Sequence, residues 1–411
     1  MYAMQSWIRC IFWAAAVVIT AGGVAVADNV VRIGVIQPMS GNWSGYAQEG
    51  EPAFEYIIKK INDEGGIKSM GGAKIQLFIA DDSSQPARTA AEARRLITEE
   101  KVQLLTGTLL SAEALAVSPV IDEFKTPTLS IWSAEVKAQY MYSIGYPYDR
   151  SYSATMADFL EYLVKQKGFA IKNVAMVYSN YEAGQQTNKM LLQKVKAMGF
   201  NIVGEVPLDT RSQDQTAAVL RIRSLKPDAT VGLVTPRDGT LLHQARYSLN
   251  YFNCVFIGGT GGFSDPILWK DLGREIGGVA LTRDLFGMTG FSGAANIPAV
   301  QNIVKELREH GGLKMEVGQA AIQGAQGARV VQQVLELAGS TDPQRIMEAF
   351  KKVNIAFGSP NLYFLKPKGL TFADDHMVAD GSAAVIQWLP DQSQQIVYPA
   401  QFATAEPRPA E

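Results

Sequence analysis

Cysteine is nearly absent from this chain of 411 residues: there are two, Cys10 and Cys254. Histidine is almost as rare, at three residues. Cys10 falls in an N-terminal stretch that reads as a removable leader, so one cysteine remains and no internal disulfide can form; the fold must be held by its core. Cys254 lies in an apolar run (CVFI) and reads as a small buried hydrophobe. His243, His310 and His376 are not paired at ligand or triad spacing, which removes the usual zinc and Ser-His-Asp chemistry and leaves them structural or surface roles. No Walker-type loop, HExxH, CxxC or GxSxG occurs. The Gly-rich segment 258–262 follows a strand-like run, but Ser264 stands where the last Gly of a dinucleotide fingerprint is needed. The carboxylate pairs Asp81-Asp82 and Asp374-Asp375 read as solvated loop residues rather than metal or acid/base pairs. An enzyme is therefore not expected, and neither a cofactor nor a metal.

Charge of one sign is also lacking, with 38 Lys and Arg against 40 Asp and Glu. Loss of Arg9 with the leader would leave 37 against 40, a net charge of −3, which argues against nucleic acid or an anionic membrane as partner. Only one long apolar run occurs, at the N-terminus: Arg9 precedes 11–19, and Ala25-Val26-Ala27 precedes Asp28, the layout of a secretory signal cleaved after Ala27. The expected compartment is the periplasm or its equivalent.

What is present is alternation. Strand-like runs at 31–36, 74–80, 102–106 and 126–131 alternate with helical stripes at 47–64, 86–101 and 111–124, with a kink or restart expected at Pro119. The pattern resumes with strands at 173–178, 201–206, 229–234 and 255–258, and helices near 183–198, 213–225 and 241–249. Such alternation predicts an α/β protein with parallel sheets covered by helices on both faces. About 384 mature residues exceed one core, so two doubly wound lobes are expected. Tyr146–Arg150 reads as the first crossing between them.

Three segments follow predicted strands and would meet at the carboxyl ends of one sheet, where small molecules bind: Met39–Tyr46, Gly107–Ser111 and Ser130–Ala134. In their spacing they resemble the leucine/isoleucine/valine-binding family, periplasmic solute-binding components of ABC importers. The resemblance implies a type I periplasmic binding fold with a multi-crossing hinge and a monomer that hands a small organic ligand to membrane permease subunits. It places lobe one at 28–147 with 283–356, lobe two at 148–282 with 357–399, and a lobe-two strand at 277–282. The tail at 400–411, with Pro407 and Pro409, is expected to be disordered.

The same resemblance assigns ligand contacts. Ser111, at a predicted helix start where it can cap the helix and face an anion, would bind the ligand carboxylate. Trp132, Ser133 and Ala134 follow at the family's register, Tyr46 faces the cleft five residues after Gly41, and Tyr181 comes from the second lobe. Thr235 stands in the loop where the family has Tyr, and Thr260 where it has the Glu that pairs with a ligand ammonium. The ligand is then a branched-chain amino acid or a related compound. The alternatives are a non-amino carboxylate, an aromatic acid or an amide, with Trp132, Tyr46 and Tyr181 suiting a flat body and Asp238 or Glu182 offering a displaced negative charge. A ligand-sensing module serving a separate signalling partner is the other functional class.

Overall fold

The computed structural model describes residues 30–259, 261–313 and 317–408. The expected leader and its cleavage site, and Thr260, lie outside them. Strands β1 (Val30–Gln37), β2 (Lys74–Asp81), β3 (Leu104–Gly107), β4 (Thr128–Ser130) and β5 (Met141–Ser143) form one sheet in the order β2-β1-β3-β4-β5, parallel throughout. Between and around them run α1 (Ser44–Asp63), α2 (Pro86–Thr98) and α3 (Ser111–Phe124). The second sheet takes β6 (Asn173–Ser179), β7 (Asn201–Leu208), β8 (Ala229–Leu233), β9 (Val255–Gly259), β10 (Leu285–Thr289), β11 (Ala384–Trp388) and β12 (Gln394–Tyr398), ordered β12-β11-β10-β9-β8-β6-β7. β11 and β12 run antiparallel, so this sheet is parallel only through β10. Its helices are α4 (Ser153–Lys165), α5 (Glu182–Ala197), α6 (Thr216–Leu225), α7 (Pro236–Ser248), the single turn α8 (Gly261–Ser264) and α9 (Ile267–Ala280).

The chain crosses between lobes three times. The first crossing runs from β5 through Ile144–Pro147 into the turn Tyr148–Tyr152. The second leaves β10 for α10 (Pro298–His310), α11 (Gln319–Ala338) and α12 (Pro343–Phe350), of which α11 lies along α1. The third returns through 353–383 to β11. The strand expected at 277–282 is instead the end of α9, where Gly277 fits over the Trp269 ring and Ala280 and Leu281 are buried as a helical stripe. The strand comes at 285–289, so the return to lobe one starts later than residue 283.

The apolar periodicity accounts for the elements. Val31, Ile33 and Val35 alternate into the core from β1, and Phe54, Ile57, Ile58 and Ile61 form the buried stripe of α1. α3 passes unbroken through Pro119; the carbonyl its missing N–H leaves free belongs to Leu115, an exposed residue where water can serve it. The described part of the tail, to residue 408, is held in place. Thr404 and Ala405 donate backbone N–H groups to Ile396 O, Arg408 N donates to Gln387 Oε1, and Phe402 is buried, so backbone pairing and apolar burial hold a segment whose prolines suggested disorder.

Candidate functional site

At the mouth of the first sheet, β3 ends in Gly107, whose φ of +106° and close approach to the Ile36 carbonyl leave no room for a Cβ. The turn that follows carries Leu109 and Leu110, and their N–H groups, 2.8 and 2.9 Å away, donate to Glu113 Oε2 from inside α3. Helix capping is thus done by Glu113. Ser111, read from the sequence as a possible cap, is the first helical residue, and its hydroxyl is free for other partners. It lies 2.9 Å from the Tyr148 hydroxyl and accepts a hydrogen bond from Ala134 N at 3.3 Å. Tyr148 in turn donates to Glu182 Oε2 at 3.0 Å, so Ser111, Tyr148 and Glu182 form a chain from α3 of lobe one, through the first crossing, to the start of α5 in lobe two.

That chain borders a cavity of about 110 Å³ between the lobes, lined by Trp43, Tyr46, Leu109–Ala112, Trp132 and Ala134 on one side and Tyr148, Tyr152 and Tyr181–Ala183 on the other. Trp43 lies 6.1 Å from Tyr46 and 6.0 Å from Tyr181, centroid to centroid, and Tyr46 meets Trp132 edge-on at 5.3 Å. The Tyr46 hydroxyl reaches Gly261, where a Cβ would stand 2.6 Å away. Burial pushes the Tyr46, Tyr148 and Tyr181 phenols well above their ordinary range, so each is a neutral O–H that can donate or accept. Burial also raises the Glu182 carboxyl, while the Tyr148 hydrogen bond lowers it; the side chain stands exposed at the rim.

Of the residues singled out from sequence, Tyr46, Ser111, Trp132, Ala134 and Tyr181 are brought to one cavity. Ser133 and Thr235 lie beneath it. The Ser133 hydroxyl donates to Glu135 O, and its carbonyl accepts from Ser143 Oγ. Thr235 caps α7 by accepting from Asp238 N and stands against Ser179, so its hydroxyl is already engaged. Sequence reasoning passed over Trp43, Tyr148 and Tyr152. Trp43 sat inside the quoted cleft segment and Tyr148 inside the quoted crossing, and an aromatic residue in either place was the available signal.

Charged residues near the cleft and in the carboxylate pairs have structural partners. Arg237 donates to the carbonyls of Thr210 and Ser212, and Asp238 is buried against the Ser179 hydroxyl. Asp81 and Asp82 are not merely solvated. Asp81 accepts from Ser40 and Ser83, which holds it low, near 2, and Asp82 is fully buried, accepting from Ser84 N and Thr89 Oγ1; together they fasten the loop that carries Trp43. Asp375 binds Arg150 through both oxygens at 2.8 and 3.0 Å. His243 is buried against Gly262 O and Arg246, and burial pushes it down to about 3, a neutral ring; His376 bonds Met141 O and stacks on Tyr142. Among the described residues no three His, Cys, Asp or Glu side chains are grouped to hold a metal ion.

Residues 30–393, which carry both sheets except β12, the three crossings and the cavity between the lobes, match the family model described as periplasmic binding protein. The chain belongs to this family. Among curated relatives, it is similar to the Leu/Ile/Val-binding protein homolog 7 of Brucella suis, 24% identical over 394 residues that span 94% of this chain and 96% of that one. Among solved structures, a leucine-binding protein of Thermotoga maritima shares the fold with a TM-score of 0.72 at 22% identity, covering 89% of this chain and 97% of that one. A solute-binding protein of an ABC transporter from R. palustris, in complex with 4-hydroxybenzoate, matches with a TM-score of 0.74 at 21% identity over 88% and 93%. The branched-chain amino acid binding protein of Streptococcus pneumoniae, in complex with isoleucine, matches with 0.74 at 16% over 90% and 100%. As in those proteins, the architecture of this periplasmic binding protein is the type I fold.

Proposed function

We propose that this protein is the ligand-capturing component of an ABC importer: it takes a small organic molecule between its lobes outside the cytoplasmic membrane and presents the closed complex to membrane permease subunits. The observation that carries this reading is a cavity walled by both lobes and bridged by Ser111, Tyr148 and Glu182. A ligand touching both walls binds the closed form better than the open one, and that difference in affinity is what shifts the hinge equilibrium. Export through a leader removed after Ala27, and work as a monomer, belong to the same reading. So does Ser111 as a direct ligand contact, with Tyr46, Trp132, Ala134 and Tyr181 forming walls.

A thermal-shift screen of the purified protein against amino acids, aromatic acids, amides and amines tests it. A ligand at 100 times its dissociation constant adds about 2.7 kcal/mol to stability, and solution scattering should show the molecule contract on binding. Deleting the gene should abolish uptake of the same compound. A bound compound whose uptake is unaffected by the deletion would speak for the sensing role instead.

A further inference from the structure

We propose that the cavity selects a small cation whose charge sits on a methylated ammonium group, held by aromatic faces. This rests on the importer reading and names the ligand class for that site. Six rings form the walls, Trp43, Tyr46, Trp132, Tyr148, Tyr152 and Tyr181, three from the first lobe and three from the crossing and second lobe. Where these rings pair, their centroids lie 5.3 to 6.3 Å apart, so the walls brace one another around the cavity. The negative quadrupole of each face attracts a cation within about 6 Å of the centroid, and the attraction grows as water is excluded. An ammonium covered in methyl groups suits such walls because it has few or no N–H groups left to satisfy.

The charges around the box point the same way. No Lys or Arg lines it, whereas Glu182 does, its carboxylate oriented by the Tyr148 hydroxyl. Behind the Tyr46 ring stand Glu49 and Asp265, both buried; burial raises both carboxyls, Glu49 to about 8, so Glu49 is largely uncharged near neutral pH and the charge at the wall is that of Glu182. Two bases on nearby loops are occupied: Lys137 pairs with Glu135 at 2.9 Å, and Arg237 binds carbonyls. Just before α3, the Leu109 and Leu110 amides are already taken by Glu113. An aromatic acid would find the flat walls it needs but share the cavity with the Glu182 carboxylate, whereas a methylated ammonium meets π-faces and that carboxylate together.

Titration calorimetry with choline, glycine betaine and tetramethylammonium, beside the uncharged choline isostere 3,3-dimethylbutan-1-ol, benzoate and leucine, tests this. At least one methylated ammonium compound should bind at least about tenfold tighter than the uncharged isostere. Trp132→Leu, which keeps an apolar wall but removes the ring, should lose most of that preference, and Trp132→Phe should keep more of it. Glu182→Gln should weaken the cations several-fold and leave the isostere unchanged, with circular dichroism confirming that each variant folds. Equal binding of choline and its isostere, or binding of leucine or benzoate without any methylated ammonium compound, would overturn the inference while leaving the importer reading intact. Failure of every compound in this panel and in the wider screen to bind would count against both.

Discussion

At the residue scale, Ser111 carries the sharpest expectation, because its hydroxyl joins two walls of the cavity and caps no helix. Replacing it by Ala removes its contacts to Tyr148 and Ala134 N, a loss of about 0.5–1.5 kcal/mol each when a typical hydrogen bond is deleted. Since Glu113 still caps α3, little of that should appear in the unliganded melting temperature. Most should appear as weaker ligand binding, by about tenfold in calorimetry, and Tyr148→Phe should show a similar split. A variant that unfolds more easily but binds as well as the wild type would return Ser111 to a purely structural role. This residue also shows what the sequence could and could not tell. Strand–turn–helix spacing put Ser111 at the cleft, but whether its hydroxyl or the Glu113 carboxylate serves the helix start depends on side-chain direction, which spacing does not carry. Thr235 is the opposite instance: its loop position is right for a cleft, yet its hydroxyl turns toward Asp238 N and Ser179.

At the scale of elements, period-2 and 3.6-residue patterns located most strands and helices to within a few residues, because each buries one apolar face. The failures come where that signal is short or shared. β5 has three residues, too few to show alternation, and 277–282 is as apolar as a strand while its buried residues follow the helical stripe of α9. Helix packing gives a second test. Gly324 in α11 faces α1 so closely that a Cβ would lie 2.2 Å from the Gly50 carbonyl, whereas Gly278 near the end of α9 has nothing within 4 Å. Ala has the better helix propensity by about 1 kcal/mol, so the two substitutions should part in sign. Gly278→Ala should stabilise by about 0.5–1 kcal/mol, and Gly324→Ala should destabilise by about 1–3 kcal/mol as the helices are forced apart. Urea unfolding of both variants decides it, and a stabilising Gly324→Ala would mean that α1 and α11 can separate freely.

At the scale of the whole molecule, the closed arrangement brings two acids together across the lobes, Glu49 from α1 and Asp265 from the turn before α9. Burial first, and then the neighbouring Asp265, raise the Glu49 carboxyl, although the Gly318 and Ala321 amides pull it down; burial also raises Asp265, helped by Asp271 and opposed by its bond to Ile267 N. A group whose affinity for a proton is higher in one state favours that state at low pH, and the advantage is lost as pH rises through the raised value. Opening the lobes separates Glu49 from Asp265 and removes that part of the shift, so closure should be most favourable near the ordinary carboxylate range, about pH 4, and should weaken toward neutral pH and above. The measurement is the closed fraction of the unliganded protein, read by distance labels on the two lobes, so that a ligand's own charge does not enter. Asp265→Asn removes one of the two charges and should flatten the dependence. A closed fraction that grows with pH, or an unchanged slope in Asp265→Asn, would show that this pair does not act on the hinge.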